Sequence, residues 1–275
     1  MTHSTASAYP VLLVHGTAFR DYALPLYWGR IPRALRSLGA AVYYGKTDGW
    51  GSIKQNGEQL ARRIEEILKQ TGAAKLHIIA HSKGGLDARY AISACGCADR
   101  VATLTTFSTP HRGSRTVDRL LQLPAPAWSA VASLVNALAF LLGDRHPDFK
   151  TVCRQFSTEY MAAFNAQYPL PNGLPCRSYG ARMKAARSDI FMALQHRLVT
   201  KYDGENDGIV GVWSAEFGSS FTLLTGETLR GVSHIDEIDL RRRALRKNAA
   251  EGHVGDITDI YRTLYTRLQQ EETHT

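Results

Sequence analysis

Ser82 lies in the run Ile78-Ile79-Ala80-His81-Ser82-Lys83-Gly84-Gly85, where an apolar stretch leads directly into a serine with a small residue two positions to either side. A serine hydroxyl is a weak nucleophile. It becomes an acyl-transfer catalyst when a sharp strand-to-helix turn exposes it, a base takes its proton, and N–H donors receive the oxyanion. This segment supplies the turn. Larger side chains at the flanking positions would strike the neighbouring strand and helix, so Ala80 and Gly84 satisfy the requirement, with alanine in the place where glycine is more usual. The oxyanion donors are expected from the residue after the serine, Lys83, and from the loop after an early strand, where Thr17 follows His15-Gly16. The start of the following helix adds partial positive charge where a negative oxygen must form.

The sequence has 10 histidines that compete for the role of base. Proximity along the chain does not sort them, because such groups meet only in the fold. Chain order does: on an α/β-hydrolase scaffold the order is serine, acid, histidine, which requires an acid and then a histidine in the C-terminal third. Asp207, in Glu205-Asn206-Asp207-Gly208-Ile209-Val210, and His234, in Ser233-His234-Ile235-Asp236-Glu237, fit that order. Among the competitors, His253, Asp203, Glu205 and Asp236 read as solvated loop residues, while His15 and His81 read as loop-shaping and packing residues.

The elements that must carry these groups follow from hydrophobic periodicity. Short apolar runs at 11–14, 40–44, 76–80 and 101–107 read as buried strands. Between them, a helix is expected to start at Ser52 as N-cap, to carry Leu60, Ile64, Ile67 and Leu68 on one face, and to stop at Thr71-Gly72. Strands alternating with helices predict an α/β class fold: a mostly parallel central sheet with helices on both faces, in one domain spanning 1–275. The region 115–150 breaks that rhythm and reads as a lid or cap insertion. Within it, Trp128, Val131, Leu134, Val135, Leu138, Leu141 and Leu142 recur at spacings of three and four, with Ser129, Ser133 and Asn136 between them, the pattern of an amphipathic helix. Such a helix packs on a core or covers a site, and the serine constellation favours the cover. The stretch 125–142 is too interrupted by Pro126 and these polar residues to read as a membrane span.

With 275 residues, 44% hydrophobic and 21% charged, the chain has the makeup of an ordinary globular protein. Its net charge of +8 concentrates in the run Arg241 to Lys247, directly after Asp236, Glu237 and Asp239. The run reads as a solvated helix face with local charge pairing, and no interleaved aromatics mark it for nucleic acid. Four cysteines lack a doubled CxxC spacing. Cys153 and Cys176 are left as either a bridge or buried thiols. The start, MTHSTASAYPVLLVHG, has no basic leader before a long apolar core, so the chain is expected to be cytoplasmic, or else a mature or non-classically secreted form.

Six segments together carry a family resemblance: PVLLVHGTAF, NGEQLARRIEEIL, AHSKGGLDARY, FSTPHRGS, ENDGIVGVWSA and SHIDEIDL. In this order they resemble the bacterial triacylglycerol lipases of the α/β-hydrolase superfamily, over most of the chain. The resemblance implies Ser82, Asp207 and His234 as catalytic residues, Thr17 and Lys83 as oxyanion donors, and a lid within 115–150 that opens at a lipid surface. It also implies an ester or lipid substrate met partly at lipid interfaces, with no required cofactor. Some relatives hold a structural calcium ion through an aspartate before the catalytic acid and another two residues after the histidine. Those places correspond to Asp189 and Asp236, while the glutamine such relatives add falls at Leu240. The zinc site of other relatives needs paired histidines that 16–76 lacks. The same triad residues would also serve a short-chain carboxylesterase, a polyester hydrolase or an acyltransferase. A catalytically silent binding protein on this fold is the alternative outside enzymes.

Overall fold

In this computed structural model the residues described are 9–18, 20–21, 27–227, 229–247 and 249–272, with backbone alone at 125–128 and 130. Six strands, β1 (Val11–Val14), β2 (Val42–Tyr44), β3 (Leu76–His81), β4 (Val101–Phe107), β5 (Cys176–Ala181) and β6 (Ser220–Leu224), form one sheet. Their order is β2-β1-β3-β4-β5-β6, and every neighbouring pair is parallel. β3, which leads to Ser82, is therefore central, between β1 and β4. The four strands expected from the sequence are present. β5 and β6 were not legible: Cys-Arg-Ser-Tyr-Gly-Ala and Ser-Phe-Thr-Leu-Leu are too polar to stand out as apolar runs.

The helices are α1 (Ile31–Arg36), α2 (Ile53–Thr71), α3 (Lys83–Ala94), α4 (Arg115–Leu120), α5 (Ala125–Leu141), α6 (Phe149–Gln155), α7 (Thr158–Gln167), α8 (Ala193–Asp203), α9 (Val212–Ala215) and α10 (Ile257–Glu272). Side chains alternate across a strand, so a sheet covered on both faces needs apolar residues at every position. β1 is Val-Leu-Leu-Val and fully buried. Leu12 and Val14 pack with Leu60, Ile64 and Ile67 of α2 and Ala88 and Ile92 of α3. Val11 and Leu13 face the other way, into a cluster with Ile31 and Leu35 of α1 and Tyr261, Leu264 and Leu268 of α10. α2 begins at Ser52, whose side chain accepts from the Gln55 N–H in a capping box, and ends at Gly72 with φ 70°, as its sequence requires.

Between β4 and β5 the chain runs through α4, α5, α6 and α7. In α5 the apolar stripe points outward: Leu134, Leu138 and Leu141 are 71%, 55% and 81% exposed, and Val131 is half exposed. Ala132 and Ala139 are buried instead, and the Asn136 side chain accepts from the Phe149 N–H at the start of α6. The Trp128 side chain lies outside the described residues. Among the described residues no helix is long and apolar enough to cross a membrane. All four cysteines are free thiols. The basic run 241–247 is not a helix but a series of turns and bends, and Arg241 is drawn into the fold.

Candidate active site

The last residue of β3 is His81 and the first of α3 is Lys83, so Ser82 alone makes the turn, with φ 55° and ψ −133°. A non-glycine residue held there costs about 1–3 kcal/mol and persists only where its surroundings enforce it. They do: Ser82 N–H donates to Phe107 O at 2.8 Å, and Ser82 O accepts from Thr109 Oγ1 at 2.7 Å and from Gly85 N–H at 3.1 Å. The glycines allow close approach around the turn. A Cβ on Gly84 would lie 2.3 Å from His15 O, one on Gly85 2.1 Å from Thr109 Oγ1, and one on Gly16 2.6 Å from the Ser82 Cβ. Gly16 is thus pressed against Ser82, and Thr17 is the next residue in the chain. Lys83 occupies the first position of α3, where helix geometry gives its N–H no intrahelical acceptor. Its side chain is buried and paired with Asp87 at 2.6 and 2.8 Å, and Asn56 Nδ2 donates to the same carboxylate at 2.9 Å.

Asp207 and His234 meet as the chain order predicted. His234 Nδ1–H donates to Asp207 Oδ2 at 2.7 Å, and the His234 N–H donates to Asp207 O at 2.8 Å. Asp207 Oδ1 accepts from the Ile209 and Val210 N–H groups at 2.9 and 2.8 Å. Burial by itself would raise the Asp207 carboxyl. The His234 ring and these two N–H donors outweigh it and hold the group below the usual carboxylate range. The His234 ring lies 4.3 Å from the ring of His81, the residue before Ser82, so the fold brings the acid–histidine pair to the residue that leads into the serine turn.

Sequence reasoning missed the buried network behind this pair. Gly16 N–H donates to Tyr27 Oη at 2.7 Å, and Tyr27 Oη then has its own proton for His81 Nδ1, also at 2.7 Å. His81 Nε2 is 3.4 Å from Glu237 Oε2, and Ser108 Oγ donates to Glu237 Oε1 at 3.0 Å. Burial, and then the Asp207 charge, push Glu237 well above the ordinary carboxylate range. Its position three residues after His234 was the available signal, since a single turn brings such a residue back to the histidine. Two of the acids taken as solvated are not: Asp203 and Asp236 are buried. Asp203 accepts from Ser114 Oγ, Arg115 N and Thr116 N and so caps the start of α4.

A family described as "Putative serine esterase (DUF676)" matches residues 41–148. The triacylglycerol lipase of Vibrio cholerae is 30% identical over 265 residues, covering 86% of this chain and 81% of that protein. The chain belongs to the triacylglycerol lipase family. The lipase of Pseudarthrobacter phenanthrenivorans is 36% identical over 177 residues, 60% of this chain and 55% of that one, so the chain spans about half the length of this relative. In three dimensions, the mature lipase BlEst2 of Bacillus licheniformis superposes with a TM-score of 0.63 at 20% identity, over 86% of this chain and 89% of the other. That likeness, with the parallel sheet, is one of α/β-hydrolase fold.

The two aspartates that the family resemblance assigns to calcium are adjacent, but they do not fit a metal. Arg241 reaches both carboxylates, with Nη2 at 2.5 Å from Asp189 Oδ1 and Nη1 at 2.8 Å from Asp236 Oδ1. Arg230 Nη2 lies 2.9 Å from Asp236 Oδ2. A hard cation needs six or more oxygen ligands, and here guanidinium donors stand between the carboxylates instead. At the opposite end of the sheet a cavity of about 380 Å³ is lined by Tyr9, His77, Thr103 and Glu272, beside the starts of β3 and β4 and away from Ser82.

Proposed function

We propose that this protein hydrolyses carboxylic esters of lipids through an acyl-enzyme on Ser82. The observation that carries the reading is the 2.7 Å contact of His234 Nδ1 with Asp207 Oδ2, with the His234 ring 4.3 Å from that of His81, which leads into the strained Ser82 turn. In the first half-reaction His234 Nε2 takes the Ser82 proton as Oγ attacks the ester carbonyl, while Asp207 holds the imidazole in the tautomer that leaves Nε2 free. The tetrahedral oxyanion is received by the Thr17 and Lys83 N–H groups. His234 returns the proton to the leaving alcohol. Water then attacks the acyl carbon, delivers its proton to His234 and releases Ser82. No step calls for a cofactor.

Lipid esters are favoured over small soluble ones by the outward apolar stripe of α5 and by Ile190, Phe191 and Leu194 before and within α8, which are 82%, 69% and 77% exposed. We read α5 as a lid. Large exposed apolar side chains of this number mark a surface that meets an apolar partner. The test is hydrolysis of nitrophenyl esters from acetate to palmitate, with and without emulsified triglyceride, by wild type and Ser82→Ala. Long-chain activity that rises with the emulsion and is lost in the variant is expected. Activity confined to short soluble esters would make this a carboxylesterase with a structural cap, and full activity in Ser82→Ala would end the scheme.

A further inference from the structure

We infer that Arg241, with Arg230, does in this chain the work of a structural divalent cation, clamping the loop that carries His234 so that the histidine is held without metal. The inference rests on His234 being the base of the proposed reaction. Asp189 precedes α8 and Asp236 follows His234 by two residues, and their side chains are 0% and 2% exposed. Two buried carboxylates side by side repel each other unless positive charge lies between them. Arg241 supplies it in bridging geometry, one guanidinium nitrogen to each carboxylate, which a planar fork does well and a point charge does not.

Further donors surround the two carboxylates. Ser233 Oγ lies 2.7 Å from Asp189 Oδ2 and 2.8 Å from Asp236 Oδ2, and Ser233 N–H donates to Asp236 Oδ2 at 3.0 Å. Phe191 N–H donates to Asp189 Oδ1 at 3.1 Å. Arg230 adds its contact to Asp236 and, through Nε, a bond to Ser188 O at 3.0 Å. Two carboxylates meet two guanidiniums, so the cluster is balanced in charge. A dication entering it would face both guanidiniums and displace N–H donors from the oxygens it needs. Burial by itself would raise the Asp189 carboxyl, but Arg241 and Ser233 hold it below its ordinary value. Because Ser233 precedes His234 and is tied to both aspartates, the clamp reaches the histidine through its immediate neighbour. Arg241 and Arg230 are positioning residues.

The first arm of the test uses the wild-type protein: thermal unfolding in EDTA and in millimolar calcium, with terbium luminescence as a direct probe of a hard-cation site. Coincident unfolding midpoints and no terbium signal are expected, and a calcium-dependent rise in midpoint would overturn the inference. The second arm uses Arg241→Gln and Arg241→Lys. In Arg241→Gln the unfolding midpoint falls and kcat drops by about 10- to 100-fold, as for a base displaced by a fraction of an ångström, while KM holds. Arg241→Lys recovers part of both. An Arg241→Gln variant with wild-type midpoint and kcat would refute the role. If the chain proves inactive on every ester, unfolding and terbium binding still decide whether arginine stands in for a cation, so the two readings fail separately.

Discussion

Replacing Asp207 by asparagine changes one atom and should disable the site by reversing a hydrogen bond. Asp207 Oδ1 accepts two backbone N–H groups, from Ile209 and Val210, and Oδ2 accepts the His234 Nδ1 proton. In Asp207→Asn the side-chain carbonyl must stay on the two N–H donors, because an amide NH₂ turned toward them would set donor against donor. The NH₂ then faces His234 Nδ1, which can only accept, and the imidazole proton moves to Nε2. A histidine protonated at Nε2 cannot take a proton from Ser82. A wrong-tautomer substitution of this kind costs ~10⁴-fold in kcat, equivalent to about 5 kcal/mol of transition-state stabilisation. The assay is kcat and KM for a soluble nitrophenyl ester, with thermal unfolding as a check on the fold. The expected result is a loss of about four decades in kcat, with KM and the two-dimensional amide spectrum little changed. A folded Asp207→Asn variant with kcat within about tenfold of wild type would show that Asp207 does not set the tautomer.

Two further predictions test the surroundings of the site. Gly84→Ala would place a Cβ 2.3 Å from His15 O and 2.6 Å from Val14 O, both backbone atoms that cannot turn aside. Overpacking of this kind costs about 1–3 kcal/mol, so the melting temperature should fall by roughly 2–4 °C per kcal/mol and kcat should fall with it, since His15 and Gly16 lead into the Thr17 donor. An unchanged melting temperature would mean that the strand and turn are not in contact. Burial, and then the Asp207 charge, raise the Glu237 carboxyl well above its ordinary range. Its folded pKa is raised, so the stability it contributes is complete below the unfolded value and is lost as pH climbs toward the folded one. Glu237→Gln keeps an acceptor for Ser108 Oγ and removes that titration. Denaturant unfolding at about pH 5 and about pH 8 should show a smaller loss of stability on raising pH in the variant than in wild type. Parallel pH dependence in the two proteins would contradict the raised Glu237 carboxyl.

What the sequence alone determined is local in origin. An apolar run entering Ser82 between small residues can be read because a strained one-residue turn excludes bulk at defined neighbours, and the structure places that turn between β3 and α3. The order of serine, acid and histidine selected Asp207 and His234 because the order of strands in such a sheet is tied to the order of the chain. The apolar periodicity of 53–71 gave α2 with its caps, because capping and helix faces are set within a few residues. Tertiary structure alone decided the rest, because it depends on contacts between groups far apart in the chain. β5 and β6 are polar in sequence and become strands by pairing beside β4. The stripe of α5 is the same in sequence whether it faces a core or solvent, and only the packing of Ala132, Ala139 and Asn136 turns it outward. In the sequence Asp189 and Asp236 are two acids far apart. That Arg241, in a run that reads as solvated charge, comes to rest between them depends on the tertiary fold.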